Sequence, residues 1–206
     1  AERSKLTLRE VHHRVKNNLS SLEAMMRLQL ESRADDVELA EILTESINRI
    51  KTMSRLYDRL SATPDSNMVD LHAYFEGLVK ELVETAGDPR RIQVETDITQ
   101  ENTDIDTAIT LGLITNELVT NSVKHAVRTN GDGAEDENTI VAVRLQSEET
   151  AFSLEVSDTG GGLPPDFLSQ HHSSLGIQLI TAVVDQHAGT FELVDPAASK
   201  FRVRLP

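Results

Sequence analysis

The chain has 206 residues, and its 38% hydrophobic and 26% charged residues are a typical globular balance for one large domain or two small ones. The absence of cysteine excludes disulfide scaffolds and thiolate metal sites, and no apolar run approaches the roughly 20 residues that a bilayer span requires. A formal charge of −14 disfavours nucleic acid as a partner, because phosphate backbones attract the opposite sign. The chain begins with Ala1 rather than Met, which we interpret as a fragment without its upstream part.

Two helical patterns occupy the first part of the chain. Apolar side chains recur at spacings of three and four over residues 6–31 and 36–61, which predicts two amphipathic helices. The break around Arg33–Asp35 turns the chain back, so we expect a helical hairpin. Because two helices bury little surface, the hairpin is expected to pack with two more, most simply from a second copy. Small residues and a proline at 61–67 predict a linker.

Helix and strand patterns alternate after this linker, which predicts an α/β unit. Helices are expected over residues 71–86, 105–127 and 174–188. Strands are expected in "MVDL", "RIQVETDI", "TIVAVRLQS", "AFSLEVSD", "GTFELVD" and "KFRVRLP". The polar stretch 129–138 and the Gly- and Pro-containing stretch 159–173 predict loops.

The stretch "REVHHRVKNNLSSL" places two adjacent histidines on the first predicted helix. At about 100° per residue, His13 points nearly opposite the apolar stripe and His12 lies at its edge, so His13 is predicted to be exposed. A neutral imidazole is a nucleophile, and Arg14 and Lys16 would favour an arriving anion such as phosphate. On this stretch alone, a solvated histidine without a role is the favoured interpretation. Adjacent helical histidines also diverge too far to share a metal ion easily.

The long helix in "LGLITNELVTNSVKHAV" carries an apolar side and a polar side. The polar side consists of Glu117, Asn121, Lys124 and Arg128 at helical spacing, a pattern most often found on solvated surfaces. However, asparagine is a poor helix former, and the flanks of this helix are apolar. We therefore expect the helix to be largely buried, and an acid and an amide on a buried helix indicate a site.

A glycine-rich turn follows the strand "AFSLEVSD". Glycines at 160–162 allow the backbone to approach a ligand closely, and Asp158 can accept a hydrogen bond from an amino group. The segment "SSLGIQLI" then opens a helix with Ser173 or Ser174 as its cap and Gly176 in its first turn. Free N–H groups at such a helix start bind phosphate oxygens. Each signal is weak alone, but their order and spacing are specific in combination.

These segments together resemble the catalytic domain of sensor histidine kinases, which has the Bergerat (GHKL ATPase) fold. "ITNELVTNSVKHA" resembles the N box, "DTGGGLP" the G1 box and "SSLGIQLI" the G2 box. "EVHHRVKNNLSSL" is similar to the phosphoacceptor box of the HisKA_2 subfamily, close kin of the HWE kinases. In that pattern the reactive histidine immediately precedes the Arg of H-R-x-K-N, which selects His13. The lack of Trp excludes the Trp-x-Glu element of HWE kinases and favours HisKA_2.

The resemblance extends from about Leu8 to Pro206 and implies two domains. Residues 1–62 would form a DHp-like hairpin for dimerisation and histidine phosphotransfer, which becomes a four-helix bundle in a dimer. Residues 63–206 would form a catalytic ATP-binding domain, an α/β two-layer sandwich with a mixed sheet and three main helices. The implied protein is cytoplasmic, has a sensory domain upstream of this chain, and forms a homodimer, although some members of the subfamily are thought to work as monomers.

The implied function is an ATP-dependent kinase that phosphorylates His13 and passes the group to an aspartate of a response regulator receiver domain. Asn121 would bind Mg²⁺, Lys124 would neutralise phosphate charge, and Asp158 would receive the adenine amino group. Glu117 sits where related ATPases keep a base or a water- and metal-orienting acid. The remaining implied nucleotide contacts are Gly160, Gly162, Leu175, Gly176 and a lid over residues 163–173.

Two questions stay open at this point. Arg14 follows His13 where common kinases carry an acid, so Glu10 and Glu117 are alternatives for the group that takes the histidine proton. Two other functions also compete with the kinase: a non-catalytic phosphotransfer adaptor, and a Bergerat-type ATPase that never phosphorylates itself.

Overall fold

The chain folds into two compact units, Ala1–Asn67 and Met68–Pro206. The computed structural model describes residues 2–32, 36–61, 68–86, 92–129, 139–164, 167–168 and 175–206. The predicted turn at Arg33–Asp35, the linker after Ser61, the loop over 130–138 and most of the proposed lid lie outside these residues, as do Ser173 and Ser174.

The first unit is the predicted helical hairpin. Helix α1 (Glu2–Ser32) packs along helix α2 (Val37–Ser61), and each extends to within a few residues of its predicted bounds. Asp36 caps α2, since its Oδ1 accepts a hydrogen bond from the backbone N–H of Leu39 at 3.1 Å. The apolar residues of α2 recur at helical spacing on the side that packs against α1. The buried ones are Leu43, Ile47 and Ile50.

The second unit is a two-layer α/β sandwich, which confirms the predicted fold class. Its five-stranded sheet has the order β2-β4-β5-β7-β6, in which β2 runs parallel to β4 and the other neighbours are antiparallel. The strands are β2 (Ile92–Ile98), β4 (Thr139–Glu148), β5 (Ala151–Asp158), β6 (Thr190–Asp195) and β7 (Lys200–Leu205). The helices are α3 (Leu71–Ala86), α4 (Ile105–Thr129) and α5 (Leu175–Gln186). Helix α4 is central: it packs against α3, α5, β4 and β5.

A small second sheet holds the starts of α3 and α4 together. Strand β1 (Met68–Asp70) pairs antiparallel with β3 (Asn102–Asp104), a three-residue strand that the sequence patterns did not predict. Each strand ends in an aspartate that caps the next helix. The side chain of Asp70 accepts a hydrogen bond from the backbone N–H of Ala73 at 3.1 Å, and the side chain of Asp104 accepts one from the backbone N–H of Thr107 at 2.9 Å. Burial alone would raise the pKa of Asp104, but the hydrogen bonds from Thr107 outweigh it and hold the pKa below its ordinary value.

A row of alternating charges crosses the sheet face opposite the helices. Its five members occupy one register line, one residue per strand, in the order Asp97, Arg144, Glu155, Arg202 and Glu192. Three of the four neighbouring pairs are ion pairs: Asp97–Arg144 at 2.9 Å, Glu155–Arg202 at 2.6 Å and Glu192–Arg202 at 3.2 Å. Lys200 also bonds to Glu155, at 2.8 Å. Opposite charges on adjacent strands stabilise this register.

Candidate functional site

The polar side of α4 runs from the core of the second unit out to solvent. Glu117 is only 4% exposed, and its carboxylate accepts a hydrogen bond at 3.2 Å from the side-chain amide of Asn116, which is also buried. One turn later Asn121 is half-buried, and Lys124 is exposed. This part of α4 is therefore the largely buried helix that the sequence predicted. The side chain of Arg128 lies outside the described residues.

A buried carboxylate stands at the end of β5. Asp158 is 7% exposed and shares a strand face with the buried side chains of Val156 and Leu154, two and four residues before it. Its Oδ1 accepts a hydrogen bond from the backbone N–H of Gly160 at 2.9 Å, which forms an Asx turn. This turn ties the carboxylate directly to the glycine-rich segment.

The glycine-rich segment is held on two sides. On one side, Thr159 exchanges two hydrogen bonds with Ile140 at the start of β4: its N–H donates to the Ile140 carbonyl at 3.1 Å, and its Oγ1 accepts from the Ile140 N–H at 2.9 Å. On the other side, Leu163 donates its N–H to the carbonyl of Pro196 at 2.8 Å. Gly162 has φ of 71°, a left-handed conformation that explains the glycine at this position.

The remaining candidate residues open helix α5. Leu175 and Gly176 are its first two residues; the former is exposed and the latter buried. Because α4 packs against both β5 and α5, the three elements that carry the predicted boxes are neighbours in space. The structure thus joins Asp158, Gly160 and Gly162 in one short segment at the end of β5, a strand that packs against α4.

The predicted phosphoacceptor belongs to the other unit. His13 lies within α1, but its side chain and those of Glu10, His12 and Arg14 are outside the described part of the chain. The described cation nearest to it along the chain is Lys16, whose Nζ lies 2.5 Å from Oδ1 of Asp58 on α2. The sequence interpretation assigned Lys16 to an incoming anion, whereas in this structure Asp58 neutralises its charge.

Two structural features of the site had no clear signal in the sequence. The first is Asn116, which lies next to Glu117 and holds its carboxylate. The second is the turn after β6, whose carbonyls accept hydrogen bonds from Asp158 and Leu163. Asp195-Pro196 is a recognisable turn signal, but nothing local indicates which distant loop the turn meets.

In the described ranges, no group of three or more His, Asp or Glu side chains is arranged to hold a metal ion. None of the described helices is sufficiently long and apolar to cross a bilayer.

Comparison with known families shows two matches that follow each other along the chain. Residues 10–86 match the HisKA_2 family, described as histidine kinase. Residues 106–206 match the HATPase_c family, described as histidine kinase-, DNA gyrase B-, and HSP90-like ATPase.

Similar proteins are also named as histidine kinases. The chain is 33% identical over 178 residues to the sensor histidine kinase PdtaS of Mycobacterium tuberculosis, covering 86% of this chain and 34% of PdtaS. It is 26% identical over 184 residues to blue-light-activated histidine kinase 2 of Erythrobacter litoralis, covering 86% of this chain and 50% of that protein. The chain therefore spans half or less of the length of these relatives.

Solved structures show the same fold. The histidine kinase domain of the blue-light activated kinase EL346 from Erythrobacter litoralis superposes with a TM-score of 0.63 at 21% identity, covering 98% of this chain and 91% of that domain. The longer EL346 structure gives a TM-score of 0.68 at 16% identity, covering 96% and 59%. With both family matches in order along it, the chain belongs to the HisKA_2 histidine kinases and carries their HATPase_c-type ATPase domain.

Proposed function

We propose that the chain is the ATP-dependent protein-histidine kinase core of a two-component system. Residues 1–62 serve as the dimerisation and phosphotransfer hairpin, and residues 63–206 as the catalytic ATP-binding domain. The observation that carries the proposal is the buried Asp158 carboxylate, joined by an Asx turn to a glycine segment beside α4. In a chain of this family, that arrangement suits the recognition of a nucleotide base.

Asp158 recognises adenine in this proposal. A carboxylate accepts hydrogen bonds only, so it pairs with the exocyclic amino group of adenine and repels the carbonyl that guanine carries at the same ring position. Burial excludes water that would otherwise compete for the carboxylate, which strengthens the discrimination. Gly160 leaves room for the base next to the backbone, and Gly162 lets the segment pass close to the carbonyls of Pro196 and Ala197.

The phosphates lie toward α4 and the start of α5. The side-chain oxygen of Asn121 is the hard ligand that Mg²⁺ prefers, and bound Mg²⁺ would offset the phosphate charge. Lys124 is exposed and adds a cation on the same side of α4. The N–H groups at Leu175 and Gly176 face outward from a helix start, where phosphate oxygens bind. Glu117, fixed by Asn116, is an acid able to orient water or accept a proton.

His13 performs the transfer. Its neutral imidazole nitrogen forms a bond to the γ-phosphorus while the bond from that phosphorus to the bridging oxygen of ADP breaks. The ring proton leaves to a nearby carboxylate, for which Glu10 and Glu117 are both candidates. Phosphoryl transfer depends on positioning and charge neutralisation, so no covalent step by other residues is required. The phosphohistidine then donates its phosphoryl group to an aspartate of a response regulator.

A second copy of the chain completes the hairpin. Apolar side chains remain exposed on both helices: Leu22 is 46% exposed, Met25 58% and Ile42 48%. Covering them with a second hairpin gives a four-helix bundle and removes this surface from water. Light scattering measures the association directly.

The test of the kinase uses ATP labelled at the γ-phosphate. Wild type and His12→Ala should acquire acid-labile, alkali-stable label, and His13→Ala should acquire none. His12→Ala is the matched control, since it makes the same change one residue away. ATP turnover without label would support a Bergerat-type ATPase instead, and neither label nor nucleotide binding would support a phosphotransfer adaptor. Loss of label in His12→Ala alone would contradict the choice of His13.

A further inference from the structure

The turn between β6 and β7, residues 196–199, lies against the segment that follows Asp158. We refer to it as the β6–β7 turn. The backbone N–H of Asp158 donates to the carbonyl of Ala198 at 3.1 Å, and that of Leu163 donates to the carbonyl of Pro196 at 2.8 Å. The two ends of the glycine segment are therefore both hydrogen bonded to one turn.

The middle of the segment also touches this turn, backbone against backbone. A Cβ atom built on Gly162 would lie 3.1 Å from the carbonyl oxygen of Pro196 and 3.2 Å from that of Ala197. These distances leave no room for a side chain without a shift of the turn. The path of residues 158–163 therefore depends on where the β6–β7 turn stands.

The turn itself keeps an unfavourable backbone conformation. Ser199 has φ of 43° and is 7% exposed, and its N–H donates to the carbonyl of Pro196 at 3.3 Å. The side chain of Asp195 fixes the start of the turn by accepting from the N–H of Ala197 at 2.9 Å. A non-glycine residue at positive φ persists only where its surroundings enforce it, and here they define the turn that supports the glycine segment.

We propose that the β6–β7 turn is a positioning element for base recognition, with Ser199 as its positioning residue. The inference rests on the proposed function, in which Asp158 receives the adenine amino group. Hydrogen bonds weaken steeply with misalignment, so a shift of the turn would displace the Asp158 carboxylate and weaken the contact with adenine. Contacts to the phosphates come from α4 and α5 and would persist. Movement of the turn should therefore lower base selectivity more than nucleotide binding as a whole.

The chain offers a matched control at the other end of β6. Ala188 is the second non-glycine residue with positive φ in the described part of the chain, at 52°. It closes the C-terminus of α5, where Ala188 donates to the carbonyl of Asp185 at 3.1 Å and Gly189 to that of Val184 at 2.9 Å. The six residues of β6 separate it from the β6–β7 turn by about 20 Å. Valine at either position places a β-branched residue in a left-handed conformation and strains the backbone in the same way.

The experiment measures dissociation constants for ATP and GTP, with unfolding midpoints, on the 206-residue chain. Wild type should prefer ATP. Ser199→Val should lower the ATP-to-GTP affinity ratio about tenfold, the scale of one hydrogen bond to a charged group, whereas Ala188→Val should leave the ratio unchanged despite lowering the midpoint. Ser199→Gly, which accepts positive φ, should keep the wild-type ratio.

Different failures have different meanings. If wild type prefers ATP but Ser199→Val and Ala188→Val have equal ATP-to-GTP affinity ratios, this inference alone would be overturned. A wild type that does not distinguish ATP from GTP would overturn the assignment of Asp158 and this inference with it. If Ser199→Val does not fold, Asp195→Ala provides the second test: it removes an exposed side chain that holds the turn, and it should lower the ratio in the same direction.

Discussion

The helical hairpin and the α/β unit differ in how much of their apolar surface each covers by itself. Among the described side chains, the large exposed apolar ones in the hairpin are Leu22, Met25, Leu28, Val37 and Ile42, against only Met68, Leu175 and Val194 in the α/β unit. The α/β unit instead has fully buried side chains from several elements, among them Phe75, Leu111, Leu154 and Leu205. A hairpin gains most of its stability by packing with other helices, whereas a sheet covered by three helices is already a closed core.

Charge is used differently in the two units as well. In the hairpin, Lys16 and Asp58 pair across the helices with about half of each side chain in water, and such pairs contribute little. In the α/β unit, Glu155 is 13% exposed and bonds to both Lys200 and Arg202. Removing one partner from an ion pair that is less exposed to water lowers the free energy of unfolding more. The comparison therefore predicts that the two units lose different amounts of stability on substitution.

The largest effect is expected from a cavity in the closed core. Leu154 is 0% exposed in β5, so Leu154→Ala should lower the free energy of unfolding of the α/β unit by about 3 kcal/mol. In the single-copy hairpin, at protein concentrations too low for dimerisation, the matched change Leu22→Ala at a position that is 46% exposed should cost less than about 1 kcal/mol. Urea denaturation followed by circular dichroism measures both. Equal losses would mean that the hairpin has a closed core of its own.

An intermediate effect is expected on association. Leu22→Asp places a charge in the surface that we assign to a second copy, and it should weaken dimerisation at least about tenfold while far-UV circular dichroism stays unchanged. Ser20→Asp, at an exposed polar position of the same helix, is the control for charge alone. Light scattering reports the mass. A wild type with the mass of a single copy would contradict the pairing of hairpins.

The smallest effect concerns acid stability of the charge row. Burial tends to raise the pKa of Glu155, but hydrogen bonds and charge from Lys200 and Arg202 outweigh it, so the pKa lies below the ordinary 4.5. A carboxylate whose pKa is lower in the folded state stabilises the fold above its unfolded pKa and loses this contribution as the pH falls through the folded pKa. Glu155→Gln should therefore cost about 1 kcal/mol at pH 7 and progressively less as the pH falls below 4.5.

Thermal unfolding between pH 7 and pH 3 tests this dependence. Glu192→Gln is the control, because Glu192 is more exposed and bonds to Arg202 alone among the described ion pairs. A Glu155→Gln variant whose unfolding midpoint differs from wild type by the same amount at both pH values would show that the charge row contributes no pH-dependent stability.

Local pattern alone predicted most of the elements. The spacing of apolar residues indicated α1, α2 and the three helices of the α/β unit, because a helix repeats every 3.6 residues and records its buried side in the sequence. Strand β3 was missed, since Asn102–Asp104 has neither apolar alternation nor length and forms only because β1 is available to pair with it. The residues of the three boxes were identified from their motifs, and their roles remain proposals.

The sequence by itself determined the hairpin, the α/β class, the family and the candidate residues, because all of these depend on side chains close together in the chain. Only the tertiary structure decided that Asp58 neutralises Lys16, that five charges align across the sheet, and that the β6–β7 turn holds the segment after Asp158. Each of these depends on at least one contact between residues more than 30 positions apart, such as Asp97 with Arg144 or Leu163 with Pro196. Such contacts arise from strand register and helix packing, and no local repeat of side chains encodes them.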